Sequence, residues 1–140
     1  MDHTIIPSAH PDPWLDMLRP YVAGTARALA AAGYRVEGSW LDPRDPRDAT
    51  IALAADGGQP TALVWDEETG WRRGVFLDGE QGRRTRLAHL EYLGGKLLPE
   101  PSAVPYLGVR GSRTVRFRHH RDVRDGLDDF LGGLAVTARG

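Results

Sequence analysis

Residues 61–75, "TALVWDEETGWRRGV", decide how this chain is read. Trp65 and Trp71 flank Asp66-Glu67-Glu68 and Gly70. Asp at the start of a turn accepts local backbone N–H bonds, and glycine takes the φ > 0 position that closes a hairpin loop of four or five residues. Closing the turn between the tryptophans sets the two rings opposite each other on one face. Such a cross-strand aromatic pair contributes roughly 0.2–1 kcal/mol. Glu67 and Glu68 are left to a solvated tip. A metal site would need further oxygen or imidazole ligands, and the spacing matches no EF-hand loop. The stretch therefore reads as a β-hairpin turn and not as chemistry, with Glu67→Ala and Glu68→Ala expected to be harmless.

A hairpin here makes its neighbours strands of an antiparallel meander. "TALVW" and "WRRGVFL" are its arms, and "ATIALAA" precedes them across the turn Asp56-Gly57-Gly58. In "YRVEGSW", Tyr34, Val36 and Trp40 alternate with Arg35, Glu37 and Ser39, as on a half-buried strand. "LDPRDPRD" has two prolines in eight residues and reads as an extended loop. "RTRLAHLEYL" fits either a helix or a strand; following a hairpin, it is assigned to the meander. Upstream, Asp12-Pro13 offers an N-cap and N1 pair. Leu15, Leu18, Val22, Ala26 and Leu29 follow at helical spacing, with a start near Asp16 or a kink at Pro20 and a stop at Gly33. Downstream, Glu100 to Val109 suits a short helix and "TVRFRH" a strand. Val123, Leu127, Phe130, Leu131 and Leu134 mark an amphipathic helix capped by Asp122. The expected fold is α+β: an antiparallel sheet of about five strands flanked by N- and C-terminal helices. Residues 1–11 read as a loose arm and residues 12–140 as one domain.

The 140 residues hold no cysteine, which removes disulfides, thiolate zinc sites and a cysteine nucleophile. No apolar run approaches a membrane span, and "MDHTIIPSAHPDPW" lacks the pattern of a signal peptide. Arginine outnumbers lysine 17 to 1, as in chains from GC-rich genomes, and a cytoplasmic location is expected. Charge is uneven: −6 over residues 1–70 and +5 over residues 71–140. Two neutralising faces of one domain account for this, as does a charged partner surface.

The strongest candidate surface is "RGSRTVRFRHHRDVR". On a strand, Arg116, Arg118 and His120 share a face, with Arg113 and Arg121 close by. This row could take an anion, a nucleic acid or a partner protein, or serve as a charged edge that prevents aggregation. A sequence pI of 6.5 and the lack of any recognition module argue against nucleic acid. His119-His120 point to opposite faces and cannot share one metal. His89 and Glu91 would lie on one side of a strand, a common coincidence as well as a general-base pair. No G-x-S-x-G, P-loop, G-x-G-x-x-G or HExxH motif occurs. No catalytic, cofactor or metal residue is therefore assigned, and catalysis is disfavoured.

The segments "LRPYVAGTARALAAAGY", "ATIAL", "ALVWDEETGWRRGV" and "LEYLGGKLLPEPSAV" resemble a family of small uncharacterised actinobacterial domains over roughly residues 18–107. That family carries a Trp-containing acidic turn and a Tyr-Leu-Gly-Gly segment, here Tyr92 to Gly95. The resemblance implies no activity and no site residues. Two functions stand against each other. One is a non-catalytic interaction or regulatory module that binds a protein partner or itself. The other is a small-molecule-binding protein or small enzyme. Its pocket would lie between sheet and helix, lined by Trp40, Trp65, Trp71 and Tyr92, with His89 or Arg116 as polar anchors. The first assumes that rings and leucines fill the interior while ionic groups coat the outside, and a ligand held by those rings would overturn it.

Overall fold

The computed structural model describes residues 6–42, 46–55, 58–81, 83–111, 117–118, 126–128 and 130–131. Asp12 caps a short first helix, α1 (Pro13–Asp16), its carboxylate accepting from Trp14 N at 2.9 Å. Pro20 then sits in the first turn of α2 (Arg19–Ala31), where its missing N–H costs nothing. The two prolines thus start two helices, and neither kinks one. Gly33, at φ 102°, ends α2. Ahead of α1, Pro7 is buried and His10 N donates to Asp16 Oδ1 at 2.9 Å.

Six strands follow in sequence order: β1 (Val36–Leu41), β2 (Asp48–Leu53), β3 (Thr61–Asp66), β4 (Gly70–Glu80), β5 (Arg83–Leu93) and the short β6 (Val109–Gly111). All neighbours pair antiparallel, so the fold is the α+β meander with five long strands. "RTRLAHLEYL" is a strand, and a 3-10 helix (Pro101–Tyr106) tolerates Pro105. The expected strand 114–119 lies mostly outside the described residues, and Phe117 and Arg118 are not in one. Of the expected C-terminal helix, Leu127, Asp128, Phe130 and Leu131 are helical, Gly126 at φ 91° is not, and the rest lies outside the described residues.

Registry decides which side chains meet. Leu41, Ala49, Trp65 and Trp71 stand in one row facing α2. They join Leu18, Tyr21, Val22, Ala26, Leu29, Ile51, Leu53, Leu63 and Leu131 in the core. Trp40, Thr50, Val64, Arg72 and Tyr92 form the adjacent row and face the other way. The simple alternation of Val36 with Trp40 fails because a bulge between Val36 and Gly38 inserts one residue. A one-residue slip exchanges the faces of everything beyond it.

The sheet does not lie flat. The far end of the β4–β5 hairpin crosses back over the face opposite α2. Thr85 Oγ1 meets Thr50 Oγ1 at 2.6 Å and accepts from Trp40 Nε1 at 3.2 Å. Gly79 makes the crossing possible, since a Cβ there would stand 2.6 Å from Thr85 Oγ1.

Candidate functional site

The acidic turn is a hairpin, as its composition demands. Asp66 Oδ1 accepts from Glu68 N at 2.8 Å and Thr69 N at 2.7 Å, and Gly70 lies at φ 80°. Trp65 pairs with Trp71, and the loop between Asp66 and Gly70 is Glu67 to Thr69. The solvated tip, however, is a misreading: Glu67 is 1% exposed. It accepts from Arg47 Nε at 3.1 Å, Arg47 Nη2 at 3.0 Å and Arg118 Nη1 at 2.6 Å. Arg47, itself fully buried, also donates to Asp128 at 2.8 Å and lies over the Trp14 ring at 4.2 Å. Among the described residues, two guanidiniums meet two carboxylates. The network ties α1, the start of β2, the β3–β4 turn and the C-terminal segment together. Both arginine and glutamate are costly to bury alone, and the pairing offsets that cost. Charges do not merely coat the outside.

A second ionic cluster lies under the curled hairpin. Asp42 and Asp48 are both buried, and the charge of one acts on the other. Asp42 accepts from Thr50 Oγ1 at 2.7 Å. Asp48 Oδ2 accepts from Arg84 at 2.6 Å, while its Oδ1 finds no donor. Burial, then the neighbouring Asp42 charge, pushes the Asp48 carboxyl up to about 8. Burial also raises Asp42. Asp48 thus holds its proton more tightly than Asp42, and Arg84 and Arg72 stand against the carboxylates of Asp48 and Asp66. Among the described residues no group of three or more His, Asp or Glu side chains is placed to hold a metal. The pair is shut from solvent, Asp42 being 0% and Asp48 1% exposed.

The aromatic residues proposed for a pocket divide between two faces. Trp65 Nε1 donates to Leu97 O at 2.8 Å and Trp71 Nε1 to Tyr21 Oη at 3.1 Å, both within the filled core. Trp40 packs edge-on against Phe76 on the opposite face, whose row Tyr92 shares. His89, at φ 55°, sits where a bulge interrupts β5, and Glu91 instead meets Arg73 at 3.4 Å. The five do not form one lining. Of the basic surface, Arg118 is buried on Glu67, and Arg113, Arg116, His120 and Arg121 lie outside the described residues.

An open groove of about 620 Å³ lies elsewhere, on the α2 side of the sheet. Its floor is Leu53, Thr61 and Arg73. One wall is the end of α2 with Tyr34 and Arg35, the other the end of the 3-10 helix with Tyr106. It exists because α2 and the 3-10 helix both stop before covering the sheet. Tyr34 is 43% and Tyr106 77% exposed. Arg35 makes no side-chain hydrogen bond or ion pair among the described residues. No sequence motif marks this site. Its members come from five separate segments, and an exposed tyrosine beside a helix stop was the only signal.

No helix among the described residues is long and apolar enough to cross a membrane. Neither the curated proteins nor the solved structures contain a match to this chain. The groove and the buried acid pair both fall inside residues 21–107, which match the family of unknown function DUF6292, and the chain belongs to that family.

Proposed function

We propose that this protein is a non-catalytic interaction module that binds a segment of a partner protein in the groove between the end of α2 and the 3-10 helix. One observation carries the reading: exposed tyrosines and arginines converge on a single concave surface, Tyr34, Arg35, Arg73 and Tyr106. Tyrosine and arginine dominate the energetics of protein interfaces because each brings a large contact area and a directed polar tip. Asp42, Asp48 and Glu67, three groups capable of acid–base chemistry, are buried within the fold. An open groove with a projecting Tyr106 suits a chain lying across it better than a small molecule that must be largely enclosed. The absence of cysteine and the arginine bias support a cytoplasmic role in a GC-rich actinobacterium. A regulatory role follows if the partner is an enzyme or transcription factor.

Photo-crosslinking in the source cells tests this. A benzophenone amino acid replaces Tyr34, Tyr106 or, as a control outside the groove, Leu90. The expected result is one dominant adduct from both tyrosine positions, absent from the Leu90 position and lost in the Arg35→Ala, Arg73→Ala double variant. The purified adduct partner should then bind the purified chain. Equal labelling from all three positions sinks the reading.

A further inference from the structure

Resting on the groove as a binding site, we infer that it selects an acidic peptide segment, one carboxylate of which is held between Arg35 and Arg73 while Tyr106 covers the adjoining backbone. Two arginines, Arg35 and Arg73, line the groove, and no acidic residue lines it among the described residues. Arg35 is exposed and, among those residues, unengaged. Arg73 is held only by Glu91, at 3.4 Å, with both side chains 40% or more exposed. An ion pair so open to water is weak and exchanges readily for a better partner. Glu91 therefore keeps Arg73 extended without sequestering it, and a ligand carboxylate would take over the role it plays.

Two terms oppose this. Glu91 stands on Arg73, but that exposed pair is weak. The C-terminal end of α2 lies at the same wall and carries about half a negative charge, damped because Ala28 O, Leu29 O and Ala30 O are satisfied by Ala32 N, Gly33 N and Tyr34 N. With Glu91 displaced into solvent, two full positive charges outweigh it. Arginine favours a planar carboxylate through paired N–H donors, so charge and shape point the same way. Tyr34 and Tyr106 supply flat apolar area at low entropic cost, as tyrosines do in other binding surfaces.

The test titrates the intact chain with a capped peptide Leu-Asp-Tyr-Asp-Leu, its Asn counterpart and its phosphoserine counterpart, followed by NMR. The expected result is shifts confined to the groove, about tenfold tighter binding of the Asp peptide than the Asn peptide, and a similar loss for Arg35→Ala or Arg73→Ala. Glu91→Gln should strengthen binding by about one and a half- to fivefold, because it frees Arg73. All three positions are exposed or half-buried, so the variants should fold as the parent does. Equal binding of the Asp and Asn peptides in the groove overturns the carboxylate selectivity but leaves the groove as a binding site. Preference for the phosphoserine peptide overturns it too, in favour of a phosphorylated partner. No groove shift with any peptide overturns both.

Discussion

Replacing Glu67 with alanine should be among the most damaging single changes outside the apolar core. Its carboxylate, 1% exposed, accepts from Arg47 Nε, Arg47 Nη2 and Arg118 Nη1, and from the Arg47 backbone N–H. Truncation removes all of these at once. Arg47 keeps Asp128 and Trp14 O but loses the carboxylate that accepted from its Nε, its Nη2 and its backbone N–H. Breaking a buried pair by deleting one partner costs about 3–5 kcal/mol. A domain is stable by about 5–15 kcal/mol, so a fifth or more is at stake. At about 3–4 °C per kcal/mol for a chain of this size, the melting temperature should fall by about 10–20 °C. Thermal and urea unfolding followed by circular dichroism measure this, with exposed Glu37→Ala as a control expected to stay within about 0.5 kcal/mol. A cycle with Arg118→Ala should show coupling of about 1–3 kcal/mol, because the two buried side chains meet at 2.6 Å. If Glu67→Ala unfolds within 1 kcal/mol of the parent, the network is decoration and the reasoning fails.

Other changes probe other parts of the fold. Asp48 has its folded-state value raised, so the native state holds a proton that the unfolded chain releases near 3.8; stability should fall as pH rises from about 4 to about 8, and Asp48→Asn should flatten that slope in urea unfolding. Gly79→Ala should cost about 1–3 kcal/mol by driving a methyl into Thr85 and Trp40 under the curled hairpin. Tyr21→Phe removes both the donor to Pro99 O and the acceptor of Trp71 Nε1, leaving buried polar groups unsatisfied at about 1–3 kcal/mol each, readable as a drop in urea midpoint with an unchanged slope. Arg35→Ala with Arg73→Ala should leave stability within about 0.5 kcal/mol, since both belong to the groove and not to the fold.

The meander, the N-terminal helix, the Trp65–Trp71 pair and the Asp66 turn were legible because each is a local pattern: alternation, capping, a glycine where φ must be positive. The placement of ionic residues was not. Glu67 looks like any exposed turn residue until the loop holding Arg47 and the segment holding Arg118 fold over it, and those contacts span 20 and 51 positions. The two Asp-Pro-Arg repeats read as a solvated loop, yet the second delivers the most central cation of the interior. Bulges defeated the reading of faces. The extra residue near Gly38 put Trp40 on the opposite side from Trp65, and the one near His89 disrupted its alignment with Glu91. The groove escaped notice for a different reason: it is a shortfall of helix over sheet, which no residue spells out.

The measurement that bears most directly on the binding role is hydrogen–deuterium exchange of the chain alone and with its purified crosslinked partner. Binding in the groove predicts new protection over residues 33–35, 58–61 and 101–107, with residues 47–51 and 64–68 already protected and unchanged. Protection that appears instead along β5, or nowhere, would contradict it.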